Sequence, residues 1–333
     1  MPTPHRVRAR FSFRLLRRFV VVAFALGALG SVPSLATPAS PPRIYRLADT
    51  STFQKGCFAP CMCPVMSRGT VQGTFVLTAD GSDGLFDKYV VNEVNWNVKL
   101  PEGEVRVSGS GTYRVGGEVA IQQQLSLDLK VGDDPVQHFD SGLVAGGGDF
   151  PRIAITVSIH GQYCFDTVIG LDASPVAPEE VHSYRLRHES SFQQACTGPC
   201  LCAPGPLQQT SGTFSLVEMK RDPLFAHYAI ASANWQVSGD AATGASSHTI
   251  TGSGFYRVGG EVAILQQMSL ELKIDSQAPA AFDSGLISGG GAFPRIDIPV
   301  TSTEATCVTT TIDLHAAPTR IGKAEPTTEG IAP

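Results

Sequence analysis

Apolar residues recur at every second position along most of this chain. Val94, Trp96 and Val98 alternate with Asn95 and Asn97; Leu125, Leu127 and Leu129 alternate with Ser126 and Asp128; Ile153, Ile155 and Val157 alternate with Ala154 and Thr156. On an extended backbone a period of two makes one apolar and one polar face, so these runs predict half-buried strands. Gly-Gly, Gly-Asp-Asp-Pro and glycine-rich clusters interrupt the runs at hairpin-like spacing. The predicted fold class is all-β, with about seven or eight antiparallel strands per domain forming a β-sandwich or a small β-barrel. The period does not separate those two. One hairpin constrains its own register. A two-residue Gly116-Gly117 turn would set Val115 opposite Glu118, whereas an odd-length loop sets it opposite Val119 and keeps one face apolar.

The pattern occurs twice. Residues 109–130, GSGTYRVGGEVAIQQQLSLDLK, return at 252–273 as GSGFYRVGGEVAILQQMSLELK, with differences only at Thr112/Phe255, Gln122/Leu265, Leu125/Met268 and Asp128/Glu271. FDSGLVAGGGDFPRI at 139–153 returns at 282–296 as FDSGLISGGGAFPRI. Upstream the offset is 139 residues; after residue 109 it is 143, and the extra four residues fall in SGDAATGASSH, read as a lengthened surface loop. This predicts tandem homologous β domains at 43–173 and 183–317, a linker at 174–182, and a disordered tail at 318–333 with little apolar content.

The first 36 residues have a different character. Six arginines, from Arg6 to Arg18, precede the apolar run FVVVAFALGAL, which leads to a small-residue site ending at Ala36. That run is well short of the roughly 20 residues needed to cross a bilayer, so residues 1–36 read as a cleaved signal peptide and the mature protein as secreted or periplasmic. Arg17-Arg18 leaves the twin-arginine route open beside the general one. Loss of the leader changes the charge from 25 basic and 30 acidic residues to 19 against 30. An acidic surface repels phosphate backbones and anionic lipid, so neither nucleic acid nor a membrane is an expected partner; an extracellular ligand or protein is.

Each half carries four cysteines, Cys57, Cys61, Cys63 and Cys164, then Cys196, Cys200, Cys202 and Cys307. Zinc could take four thiolates, but an even count in an exported chain predicts disulfides. A Cys61–Cys63 bridge is disfavoured by its one-residue spacer. The expected pairs are Cys63–Cys164 and Cys57–Cys61.

Asp140-Ser141-Gly142 and Asp283-Ser284-Gly285 each follow a predicted strand. One such triplet per lobe resembles the pepsin-type aspartic proteases, and the resemblance implies a catalytic carboxylate pair, Asp140 and Asp283, sharing a proton across a cleft. It departs from that family where Leu143 and Leu286 replace the hydroxyl residue after the glycine, and in the late position of the triplet. The alternative is an Asx-type turn in which each aspartate accepts a backbone N–H. The glycine triplets at 146–148 and 289–291 lack a following Lys-Ser/Thr and read as loops; Trp96 and Trp235 read as core; Asp80–Asp83 reads as a solvated turn rather than a calcium loop. Arg114/Glu118 and Arg257/Glu261 are expected to form ion pairs across their hairpins. No cofactor or metal site is expected. The chain therefore reads as a non-catalytic binding or structural protein, with a secreted hydrolase or a small-ligand carrier as alternatives.

Overall fold

The computed structural model describes residues 41–64, 66–196, 204–240, 242–303 and 307–319; the segment 1–36 expected to be a signal peptide, Cys200, Cys202 and residues 320–333 of the expected tail lie outside these. The first half folds as strands β1 (Arg43–Leu47), β2 (Thr52–Cys57), β3 (Met66–Ser82), β4 (Phe86–Leu100), β5 (Gly103–Gly116), β6 (Gln122–Val131), β7 (Gln137–Asp140), β8 (Val144–Ala145), β9 (Ile153–Ser158) and β10 (Phe165–Pro175). The second comprises β11 (Val181–Leu186), β12 (Ser191–Cys196), β13 (Gln208–Arg221), β14 (Phe225–Val237), β15 (His248–Gly259), β16 (Leu265–Ile274), β17 (Ala280–Asp283), β18 (Ile287–Ser288), β19 (Ile296–Ser302) and β20 (Val308–Pro318). Each half is one ten-stranded antiparallel sheet.

The pairing in each sheet runs in a ring. β3 pairs β4, β4 pairs β5, β5 pairs β6, and β6 pairs both β7 and β8. β7 meets β9, β9 pairs β10, and β10 returns to β1 and β2, which both also pair β3. β1 and β2 are two lengths of one interrupted strand, and so are β7 and β8. The result is an up-and-down barrel, and the second half repeats every one of these pairings. The seam is narrow: Asp140↔Ser158 alone joins β7 to β9 in the first barrel, and Phe282↔Ser302 and Asp283↔Thr301 join β17 to β19 in the second. The connection between the barrels is short, residues 176–180, and includes a 3₁₀ turn at Pro178–Glu180.

A barrel of this size has an interior just wide enough to be filled by side chains, and here it is filled. Trp96, Tyr45, Phe53, Tyr113, Phe139 and Leu127 are buried in the first barrel; Trp235, Phe192, Tyr256 and Phe282 are buried in the second, and each barrel has its own apolar cluster. Phe75 meets Trp96 edge-on at 6.3 Å between centroids, and Phe214 meets Trp235 in the same way. Opposite Trp96 stands Gly73, at φ +144, where a Cβ would lie 2.1 Å from the Asn95 carbonyl. Only glycine lets β3 approach β4 that closely.

Two sequence expectations are corrected in the β5–β6 hairpin. Its loop is odd in length, at 117–121, but Val115 faces Gln123 rather than Val119, which lies fully exposed at the tip. Gln123 is tolerated inside because it is fully used: it accepts from the Tyr113 hydroxyl at 3.0 Å and donates to the Ala154 carbonyl at 2.8 Å. Arg114 does not pair with Glu118. It donates to Gln124 Oε1 and lies 5.0 Å from the Phe86 ring, because β5–β6 register puts Arg114 opposite Gln124 while Glu118 falls in the loop. Arg257 does the same with Gln267 and Phe225.

The cysteine pairing also differs. The bonds are Cys57–Cys63 and Cys61–Cys164, with Cα separations of 5.7 and 4.8 Å. After β2 the chain turns back, Cys61 N–H donating to the Phe58 carbonyl while Phe58 N–H donates to Cys164. That turn carries Cys61, not Cys63, to Cys164, and leaves Cys63 to reach back to Cys57. In the second barrel Cys196 and Cys307 are disulfide-bonded. Disulfides belong to oxidising compartments, and among the described residues no helix is long and apolar enough to cross a membrane.

Next to this bridge lies a buried carboxylate. Asp166 is 1 % exposed and accepts backbone N–H groups from Ile159, His160, Gln162 and Thr167 at 2.7–3.1 Å. Asp166→Ala would leave these donors without their acceptor in the β9–β10 loop. We expect it to lower stability by roughly 2–4 kcal/mol in urea denaturation; a loss near zero would mean that water replaces the carboxylate.

Candidate functional site

The outward faces of β3 and β4 pack against β14 and β15, with side chains of β5 reaching across beside them, and two bulges face each other within the contact. Register breaks between Val91 and Val94 and between Ile230 and Ala233 put Glu93 and Ser232 at φ 52 and 54. Bulges re-aim side chains. Here they bring Glu93 to Ser232, whose N–H donates to Glu93 Oε2 at 2.7 Å. Burial pushes the Glu93 carboxyl above its ordinary value, and the Ser232 donors partly offset this.

Beside the bulges Asn95, an outward residue by its register, is completely buried and donates to the Gly254 carbonyl at 2.6 Å. Arg106 reaches across to the Ser253 carbonyl at 3.2 Å, pairs with Glu271 at 3.8 Å and lies 5.7 Å from the Phe255 ring centroid. Ser108 donates to the same Glu271 at 3.1 Å. Burial lowers the Arg106 guanidinium, while Glu271 and Asp283 act in the opposite sense. Arg46 adds a bond to the Glu218 carbonyl and an ion pair with Glu180.

Next to these contacts the barrels part to leave a cleft of about 400 Å³, lined from both halves. Lys99 and Arg106 enter from the first barrel and Lys220, Arg257 and Phe255 from the second. Lys220 sits at a bulge in β13, where the register shifts between Glu218 and Lys220. Lys99 lines the same cleft from the first barrel. Burial foremost, and then Lys99, bring Lys220 down to about 8, against the opposing pull of Glu104 and Asp222. Glu104 is 3.7 Å from Lys99 and accepts from Asn97, while Asp222 is engaged with His227 at 2.7 Å.

Asp140 and Asp283 are held within their own loops. Asp140 accepts from Gly142 N–H and from Gln124; Asp283 accepts from Gly285 N–H, Gln267 and Ser269. This is Asx-turn geometry in each barrel, with Ser141 and Ser284 hydroxyls bonding Leu125 and Met268 N–H across the turn. Neither aspartate lines the cleft. Among the described residues, no three His, Cys, Asp or Glu side chains cluster so as to hold a metal ion.

The cleft residues were not marked by any motif. The available signal lay in the mismatches between the halves: two of the four differences in the 22-residue repeat, Phe255 and Glu271, are Arg106's partners. No protein-family model, curated protein or solved structure matches the chain.

Proposed function

We propose that this is an exported, non-catalytic binding protein, built from a duplicated β-barrel, that holds a small extracellular ligand in the cleft between its two barrels. The observation that carries the reading is the division of space. Each barrel interior is occupied by its own side chains, while the cleft between them is open and lined from both. Its volume lies within the usual range for small-molecule sites. The leader's pattern and the disulfides support export. The outward faces, such as Gln124, Ser126, Asp128 and Lys130 on β6, are polar, the reverse of a lipid-facing barrel. The hydrolase alternative loses ground because both aspartates are already occupied as turn acceptors. The carrier alternative moves its ligand from barrel interior to cleft.

A thermal-shift panel of sugars, amino acids, organic acids and phosphate esters tests this. At least one compound should raise the melting temperature of the wild type and leave Gln72→Trp, which fills the cleft from its rim, unmoved. A compound that stabilises both equally would place the site elsewhere. Turnover of a peptide, ester or glycoside that disappears in Asp140→Asn would replace the reading with the hydrolase one.

A further inference from the structure

The cleft is cationic in an acidic protein. Of its charged lining residues, Lys99, Arg106, Lys220 and Arg257 are basic and Glu104 is acidic, whereas the whole chain carries a net charge of −5. Most of these cations are peculiar to one barrel. Along the repeat, Lys99 corresponds to Ser238, Arg106 to Thr249 and Lys220 to Gly81, while Phe255 takes the place of Thr112. Arg106 is used by the interface, through Glu271 and the Ser253 carbonyl, and Arg257 is bonded to Gln267. Lys220 and Lys99 line the cleft from opposite barrels, and the single carboxylate among the described lining residues, Glu104, is 3.7 Å from Lys99 and also accepts from Asn97. Two ammonium groups sharing one partly buried cleft repel, and one carboxylate does not neutralise both together with Arg106 and Arg257. An anion between them would turn that repulsion into two charge-assisted hydrogen bonds.

We propose that Lys99 and Lys220 jointly receive the anionic group, a phosphate, sulfate or carboxylate, of a small organic molecule whose apolar part lies against Phe255. This rests on the cleft being the ligand site.

Calorimetric titration of the full mature chain with phenyl phosphate, inorganic phosphate and phenyl glucoside tests it. Phenyl phosphate should bind more tightly than inorganic phosphate, and Lys99→Gln/Lys220→Gln should weaken it by about tenfold or more. Phe255→Thr, which installs the first barrel's residue, should bring phenyl phosphate down to the affinity of inorganic phosphate. The pH profile adds a readout that a merely structural role would not give. Lys220 faces Lys99 and Glu104 from β4 and β5, Asp222 from the β13–β14 loop, and His227 and Arg257 from β14 and β15. Because its pKa is held near 8 in the free protein, affinity should be level only between the second ionisation of the phosphate ester, at pH ~6, and that pKa, and fall above it, with proton uptake on binding. Lys220→Gln should abolish that fall. The double lysine variant should keep a melting temperature close to the wild type's, since it removes a repulsion along with the exposed Lys99–Glu104 pair.

Anion binding unchanged in the double variant would overturn the assignment. Inorganic phosphate binding as tightly as phenyl phosphate would overturn the organic-anion part. If phenyl glucoside binds in the cleft and no anion does, the anion assignment fails and the cleft reading stands. If none of the three binds, both fail.

Discussion

Serine at both Cys61 and Cys164 should destabilise the first barrel by about 4–5 kcal/mol, against about 2 kcal/mol for serine at both Cys57 and Cys63. The difference follows from loop length. Cys61–Cys164 joins residues 103 apart and encloses β3 to β9, whereas Cys57–Cys63 spans six. On the chain-entropy account, the longer closure removes more freedom from the unfolded chain. The long bridge also ties the exit of β2 to the β9–β10 loop, on the strand that pairs with both β1 and β2. The chain's two tryptophans make this measurable barrel by barrel: Trp96 and Trp235 are each buried in a separate core. In a Trp235→Phe background, urea denaturation followed by fluorescence reports the first barrel. Equal losses for the two double mutants, or a larger loss for the short bridge, would sink the entropic argument and the importance of the long closure.

The all-β antiparallel character was legible in the chain because a period-two pattern records which face is buried; closure into a barrel rather than a sandwich was not, because the pattern carries no information on which strands pair at the seam. Trp96 and Trp235 lie in cores, as their apolar neighbours at two-residue spacing require. Interruptions were less legible. β1 and β2 occupy one strand position, as do β7 and β8, and no local propensity distinguishes a broken strand from two strands. The hairpin at 117–121 shows why register failed: an apolar match of Val115 with Val119 looked best, but Gln123 enters the core because Tyr113 and the Ala154 carbonyl satisfy it. A buried polar residue with long-range partners is invisible to a rule that counts apolar faces. The same holds for Asn95. Its alternation with Val94 and Trp96 marks it as outward, and it is; what the pattern lacks is the second barrel that covers it. The cysteine pairs turned on a single backbone turn at Phe58–Cys61, which spacing alone does not encode.

Arg106→Glu should uncouple the two barrels without unfolding either. Each barrel closes its own ring of strands and fills its own core, so folding of one does not depend on pairing with the other. Among the polar contacts that join them Arg106 is central, touching Glu271, Asn95, the Ser253 carbonyl and the Phe255 ring, beside outward-facing Val76, Val217, Ala229 and Ala231, which are buried outside both cores. The Arg106 side chain keeps 27 % of its surface in solvent, so the loss is less than for a fully enclosed ion pair. A glutamate there faces Glu271 with no cation between them, which should cost roughly 2–4 kcal/mol of coupling. In single-tryptophan backgrounds the wild-type barrels should unfold together and the Arg106→Glu barrels at separate urea concentrations, with a larger radius of gyration by small-angle scattering. Adding Glu271→Arg restores the pair with its charges exchanged and should bring the transitions back together. Fragments 41–176 and 181–319, made separately in an oxidising compartment, should each give dispersed amide spectra. If Arg106→Glu leaves the transitions coincident, the barrels are held by contacts other than this one; if neither fragment folds, the two barrels form a single cooperative unit despite their separate cores.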